Sequence, residues 1–246
     1  MKDGTFEIKE NIQLAPSVYR MVLKGDTALI SSPGQFVNIR LQGMFLRRPI
    51  SVCDLQGDRL TIIYKVVGKG TEKMSLMHEG MKLQLLTGLG NGYDLSVLRE
   101  DQKKILLIAG GVGVPPMFLL AKELIRLGKE VTAVLGFNKK SEIFYYEEFK
   151  ELGVNSILAT ADGSCGIKGF VTDALPEDYD YFYCCGPEPM LRAVYKNTKS
   201  DGQFSFEERM GCGFGVCMGC SCKTITGYKR ICKDGPVLRK EEILWD

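Results

Sequence analysis

The sequence predicts an antiparallel β barrel followed by a doubly wound parallel α/β sheet, closed by a cysteine-rich loop with a short hairpin. Three observations carry this reading. Residues 5–98 are short β-branched runs broken by Gly, Pro and Asp turns. From residue 103 continuous apolar runs alternate with helical ones, the pattern of parallel strands buried on both faces. Beyond residue 203, Cys212, Cys217, Cys220, Cys222 and Cys232 crowd into a glycine-rich stretch. The expected segments are therefore 1–99, 100–203 and 204–246.

In the first segment, residues 6–12, 18–23, 36–41 and 60–67 have the β-branched and alternating character of strands, and many short strands closing on themselves suggest a small barrel. Arg48-Pro49-Ile50-Ser51 falls on a strand edge. A helix is expected over 71–77, opened by Gly68-Lys69-Gly70-Thr71 and stopping before Gly80. The lone histidine, His78, is placed in that helix and reads as a surface residue. In the second segment an apolar strand over 105–109 leads through a glycine turn into a helix over 116–126. A strand over 131–137, a helix over 146–152 and strands over 156–160 and 181–185 follow. The third segment is too small to hold itself together without a bound group.

With 246 residues, 45% hydrophobic and 25% charged, the chain has an ordinary globular composition and room for two cores. No run approaches the roughly 18 apolar residues of a membrane span, and the N-terminus lacks an apolar signal segment, so a cytoplasmic protein that does not enter a membrane is expected. A net charge of +2 without a basic, aromatic-interleaved stripe argues against a nucleic-acid partner. Cys53, Cys165 and Cys184 are scattered and read as small buried or surface residues.

Cys212, Cys217 and Cys220 stand in the C-x4-C-x2-C arrangement of plant-type [2Fe–2S] ferredoxins, with Cys232 free to close the fourth position. Gly211, Gly213, Gly215 and Gly219 let backbone N–H groups approach the sulfurs. A structural zinc knuckle is the alternative. Zinc sites usually carry two well-separated Cys-x-x-Cys pairs, whereas here one pair is fused to an upstream cysteine. Cys222 is surplus; it reads as a bystander, though it could in principle displace a ligand.

Arg48 supplies a forked, permanent cation for a pyrophosphate, and Gly70-Thr71 opens a helix whose N–H groups face an anion. Taken singly these are equally a surface arginine and a tight turn. Ala109-Gly110-Gly111-Val112-Gly113-Val114-Pro115-Pro116 follows a strand and opens a helix, and Cys185-Gly186-Pro187-Glu188-Pro189-Met190 does the same. Two such turns at the carboxyl end of a parallel sheet define a dinucleotide crevice. Lys139 and Lys140 lie where a 2′-phosphate would need charge, and no acidic residue there clearly claims a 2′-hydroxyl, so NAD and NADP stay open. Glu207 and Glu208 either orient a nicotinamide or solvate a turn. No residue stands in an acid–base constellation, so no catalytic side chain is expected.

The order of strand arginine, Ile63-Tyr64-Lys65 and Gly-Thr helix start resembles the flavin barrels of ferredoxin–NADP reductase-like proteins. With the Gly-Gly-Val-Gly-x-x-Pro turn, the Cys-Gly-Pro-Glu-Pro-Met turn and the cysteine loop, essentially the whole chain resembles the electron-transfer subunits of dihydroorotate dehydrogenase B. The resemblance implies FAD held by Arg48, Pro49, Ile50, Ser51, Ile63, Tyr64, Lys65, Gly70 and Thr71. It implies NAD, rather than NADP, at Gly110, Gly111, Gly113, Cys185, Gly186 and Pro187, and a [2Fe–2S] cluster on Cys212, Cys217, Cys220 and Cys232. It further implies an FMN-containing catalytic partner in a heterotetramer of two of each chain. Electrons would pass from that FMN through the cluster and FAD to NAD+, in pyrimidine (UMP) biosynthesis via orotate.

Two features depart from the wider reductases. Ile50 stands where they carry an aromatic, and the chain runs on into the cysteine loop where they end in one. The same modules would serve a NADPH:ferredoxin oxidoreductase or a hydrogenase-type complex, and a non-enzymatic redox sensor or zinc-stabilised binding module is the rival from another class.

Overall fold

The computed structural model describes residues 1–245; Asp246, the end of the third expected segment, lies outside the described residues. Six antiparallel strands, β1 (Lys2–Ala15), β2 (Val18–Lys24), β3 (Phe36–Arg40), β4 (Arg48–Gln56), β5 (Arg59–Lys65) and β6 (Lys82–Leu89), close a barrel in the order β1-β2-β5-β4-β3-β6. Strand alternation fills it. Phe6, Ile8, Met21, Leu23, Ile39, Val52, Leu60, Ile62 and Leu85 are fully buried inside, while their neighbours point outward.

Between β5 and β6, α1 (Lys69–Ser75) lays Met74 over the barrel core. This helix begins and ends two residues earlier than expected, so His78 lies beyond it in an exposed turn. The reason is a cap from far along the chain. Asn11 Nδ2 on β1 donates to the carbonyls of Met74 at 2.9 Å and Met77 at 2.8 Å, satisfying groups that further helical turns would otherwise use.

The second layer is a seven-stranded sheet. Its strands are β7 (Lys104–Gly110), β8 (Glu130–Phe137), β9 (Asn155–Thr160), β10 (Ile167–Lys168), β11 (Tyr181–Cys185) and β12 (Gly202–Ser205), all parallel, with β15 (Val237–Arg239) antiparallel at the edge. The order is β10-β9-β8-β7-β11-β12-β15. Helices α2 (Val114–Arg126) and α3 (Tyr146–Glu151) cover one face and α4 (Glu188–Asn197) the other, as the apolar strands require. None of the helices among the described residues is long and apolar enough to cross a membrane.

Sequence reasoning treats β11 as the last strand of this sheet, but two more follow. A boundary at 203/204 falls inside β12, and β15 returns from the cysteine segment to pair with it, Ser205 opposite Val237. The hairpin of that segment is β13 (Ser221–Thr224) and β14 (Gly227–Arg230). Beneath it Cys220, Ile231, Cys232 and Ile243 are buried with Phe36, Leu86 and Leu89 of the barrel and Phe204 and Leu238 of the sheet. The small segment thus rests on a shared apolar floor, which supplies packing that its own length cannot.

Candidate functional site

The four expected cluster cysteines come together in two pairs. The Cys212 N–H donates to Cys217 Sγ at 3.4 Å and the Cys217 N–H to Cys212 Sγ, and the Cys232 N–H reaches Cys220 Sγ. The first pair faces solvent beside the exposed Phe214, Val216 and Met218; the second is buried. The N–H groups of Val216 (3.3 Å), Phe214 (3.5 Å) and Cys217 (3.5 Å) donate to Cys212 Sγ, and the Cys232 N–H donates to Cys220 Sγ at 3.4 Å. Burial raises the Cys212 thiol, but these N–H groups outweigh it and hold the thiol down at about 6.

Among the described residues no three Cys, His, Asp or Glu side chains gather as a group able to hold a single ion. Four thiols in two pairs fit the all-thiolate donor set that a [2Fe–2S] cluster would need. Cys222 stands apart on β13, opposite Lys229 and with its thiol against the Lys223 carbonyl. Arg230, which sequence reasoning missed, clamps the loop: Nη1 donates to the Gly215 carbonyl at 2.9 Å while Nε pairs with Asp234 at 2.9 Å. Its only sequence signal is the four-residue spacing to Asp234.

The expected flavin residues lie on the barrel rim next to this loop. β4 carries Arg48-Pro49-Ile50-Ser51, paired to β3 with Ile39 opposite Arg48, Asn38 opposite Pro49 and Phe36 opposite Ser51. The Arg48 guanidinium crosses Gly70 so closely that a Cβ there would meet Nε at 2.1 Å, and Nη1 donates to the Leu46 carbonyl at 2.5 Å. A cation is thereby held over the first turn of α1, the surroundings a pyrophosphate requires. Thr71 is already engaged: its hydroxyl accepts from the N–H groups of Val67 and Gly68 and donates to the Gly68 carbonyl. Ile50 packs against the barrel core. Tyr64 points inward, bonded to Asn11 and stacked on Tyr19, leaving its backbone to the rim; Lys65 is exposed and Ile63 faces the α/β layer.

The two βα turns of the sheet lock into each other, because β7 and β11 are adjacent with Ala109 opposite Cys185. A Cβ on Gly113 would sit 2.2 Å from the Cys185 carbonyl oxygen, and one on Gly110 or Gly186 would strike Met190 at 2.5 Å. Gly111 differs. It has φ +52° with no atom near the place of its missing Cβ, so it is the glycine that leaves the turn open to a ligand. Burial pushes the Cys185 thiol up to about 12, so it is neutral. Glu207 and Glu208 line a cavity of about 330 Å³ beside Pro187, with Arg192, Cys222 and Trp245. Trp245, the last aromatic, packs on Tyr195, Phe204 and Phe206.

Residues 207–244 match the iron–sulfur cluster binding domain of dihydroorotate dehydrogenase B, and residues 107–196 match the oxidoreductase NAD-binding domain. The chain is 42% identical over a 258-residue alignment to the dihydroorotate dehydrogenase B (NAD(+)) electron transfer subunit of Fusobacterium nucleatum subsp. nucleatum, covering 99% of each. To the subunit of the same name from Shouchella clausii it is 39% identical, covering 99% of this chain and 98% of the relative. Among solved structures, the NADH-dependent reduced ferredoxin-NADP oxidoreductase studied for flavin-based electron bifurcation superposes with a TM-score of 0.87 at 31% identity, covering 98% of this chain and 90% of that one. A ferredoxin NADP+ reductase from Neisseria gonorrhoeae, with FAD and NADP bound, superposes at 0.70 and 16% identity over 80% of this chain and 90% of that one, a likeness of fold alone.

Proposed function

The chain belongs to the electron transfer subunits of dihydroorotate dehydrogenase B (NAD(+)), and from that premise we propose which of its residues do the work. It is the NAD-linked flavin and iron–sulfur subunit of that oxidoreductase, serving orotate formation in pyrimidine biosynthesis beside a catalytic partner. In this reading Cys212, Cys217, Cys220 and Cys232 hold a [2Fe–2S] cluster. Arg48, Pro49, Ile50 and Ser51, with the backbone of Ile63, Tyr64 and Lys65 and the Gly70-Thr71 turn, hold FAD. Gly110, Gly111 and Gly113 with Cys185, Gly186 and Pro187 receive NAD. The partner carries FMN, two of each chain assemble, and the complex is cytoplasmic. The observation that supports this proposal best is the approach of the four cysteines, two by two, on a loop seated on β3, the strand paired to the one that bears Arg48 and Ser51.

When bound, the flavin interchanges hydride and one-electron chemistry and the cluster passes single electrons. This chain's residues supply the setting. The N–H groups of Phe214, Val216 and Cys217 stabilise negative charge at Cys212 Sγ. Arg48 provides the cation at the barrel rim, Gly111 admits the nicotinamide dinucleotide to the sheet, and Cys185 stays protonated and takes no part as a nucleophile. Oxidation of dihydroorotate to orotate releases two electrons and two protons; NAD+ takes both electrons and one proton, and one proton is released. No base is required of this chain, because proton removal from the substrate belongs to the partner.

Iron, sulfide and flavin analysis of anaerobically purified protein, followed by NADH formation from dihydroorotate after mixing with the FMN-containing partner, tests the reading. Zinc in place of iron and sulfide sinks it. The full-length superposition on the NADH-dependent reduced ferredoxin-NADP oxidoreductase favours a second reading, a subunit of a ferredoxin-linked complex. Reduced ferredoxin as electron donor, active where dihydroorotate with its partner is not, would select that one.

A further inference from the structure

Asn38 is a carboxamide set in a row of buried apolar residues, with Phe36, Val37 and Ile39 beside it on β3, and it is itself 1% exposed. Its backbone pairs with Pro49 on the strand that carries Arg48 and Ser51. Its side chain turns the other way, onto the cysteine segment: Nδ2 donates to the carbonyl of Cys212 at 3.1 Å. Gly213 follows with φ +79°, and a Cβ there would fall 2.3 Å from Nδ2, so the loop lies directly on the carboxamide. Reversing the amide would set its oxygen against the Cys212 carbonyl, which fixes the orientation. In that orientation Oδ1 is buried without a partner, the sole side-chain nitrogen or oxygen so placed among the described residues. An unpaired buried acceptor is unfavourable. A residue serving stability alone would here be aliphatic.

We propose that Asn38 is the positioning residue that pins the cysteine loop to the flavin strand, and so sets the separation across which electrons pass between the two sites. This rests on the reading of those sites given above. It explains why one polar side chain bridges two segments far apart in sequence, and why it grips the backbone of Cys212 and not a peripheral loop residue. Electron tunnelling falls steeply with distance, so a loop released by a fraction of its contacts slows transfer without losing either carrier. Run backwards from NADH, two electrons and one proton enter as hydride; the cluster would take one electron and the flavin would keep the other with the proton, so the step needs no further co-reactant.

The test compares full-length wild type with Asn38→Leu, which keeps the branched shape without a donor, and Asn38→Ala, which removes the carboxamide. Amide hydrogen exchange over residues 211–217 should quicken about tenfold in both variants, the loss of one buried hydrogen bond. After reconstitution with FAD, iron and sulfide, the electron-paramagnetic signature of the reduced cluster should shift. The rate of cluster reduction by NADH, relative to that of flavin reduction, should fall in both variants. Unchanged exchange, signature and rate ratio in the variants would overturn the role of Asn38. If Asn38→Leu fails to fold, Asn38→Ala decides alone. Wild type that binds neither iron nor flavin would sink the functional reading instead, while exchange in the unloaded chain still reads the Asn38–Cys212 link.

Discussion

Gly70 has no side chain because the Arg48 guanidinium occupies the place of one, at 2.1 Å from where its Cβ would stand. The arginine is therefore fixed before any anion arrives, and little ordering remains for binding to cost. Arg48→Ala should weaken FAD retention by about ten- to a hundredfold, the worth of one charge-assisted hydrogen bond. Flavin content after gel filtration, set beside an unchanged far-UV spectrum, measures it; full occupancy would reduce Arg48 to a loop tether. At the cysteines, Cys217→Ser should abolish the visible spectrum of the cluster and Cys222→Ser should keep it, since the Cys222 thiol rests on the Lys223 carbonyl apart from both pairs. The opposite pattern would reassign the ligands. Ligand chemistry of this kind is legible in the sequence because type and spacing are local. Asn38 is not legible: between Val37 and Ile39 it reads as the outward, solvated residue of an alternating strand, and its burial comes from a loop more than 170 positions away. Tyr64 misleads in the other direction, since its ring turns into the barrel and bonds Asn11.

The two glycine turns of the α/β layer show how much an element depends on its neighbour. At Gly113 a methyl group would meet backbone, the Cys185 carbonyl and Gly186 Cα, whereas at Gly110 it would meet the flexible end of Met190. Gly113→Ala should destabilise the protein by about 1–3 kcal/mol and Gly110→Ala by clearly less, because a thioether can swing aside and a peptide cannot. Urea midpoints at constant slope give the comparison. A Gly113→Ala protein as stable as wild type would mean that the turns are not locked. The long apolar strands β7, β8 and β11 and helix α2 were readable from periodicity, since their burial pattern is written in consecutive residues. The four-residue β12 and three-residue β15 carry too little pattern to read, and α1 ends where Asn11 caps it from another strand.

At the scale of the whole molecule, barrel, sheet and cysteine segment share one apolar floor. Further ties run from the Asn91 N–H to the Gly235 carbonyl at 2.6 Å and from Arg239 to Asp94 at 2.9 Å. The exposed Phe214, Val216 and Met218 lie beside the outer thiol pair, and the proposed function leaves dihydroorotate to the partner. The isolated protein should thus oxidise NADH with artificial acceptors and leave dihydroorotate untouched until the partner is added. Cys220→Ser should break the coupled reaction while sparing the NADH reaction, provided that the far-UV spectrum shows the fold intact. Coupling that survives loss of the cluster would defeat this account. The pairing of Ser205 with Val237 carries a different consequence. Everything between those residues leaves the sheet and returns to it at one point, like a chapter bound between facing pages. The cysteine segment is therefore an excision point: joining β12 to β15 through a short polar turn should yield a yellow, cluster-free reductase, less stable in urea than the full chain because Phe36, Leu86 and Leu89 lose their cover.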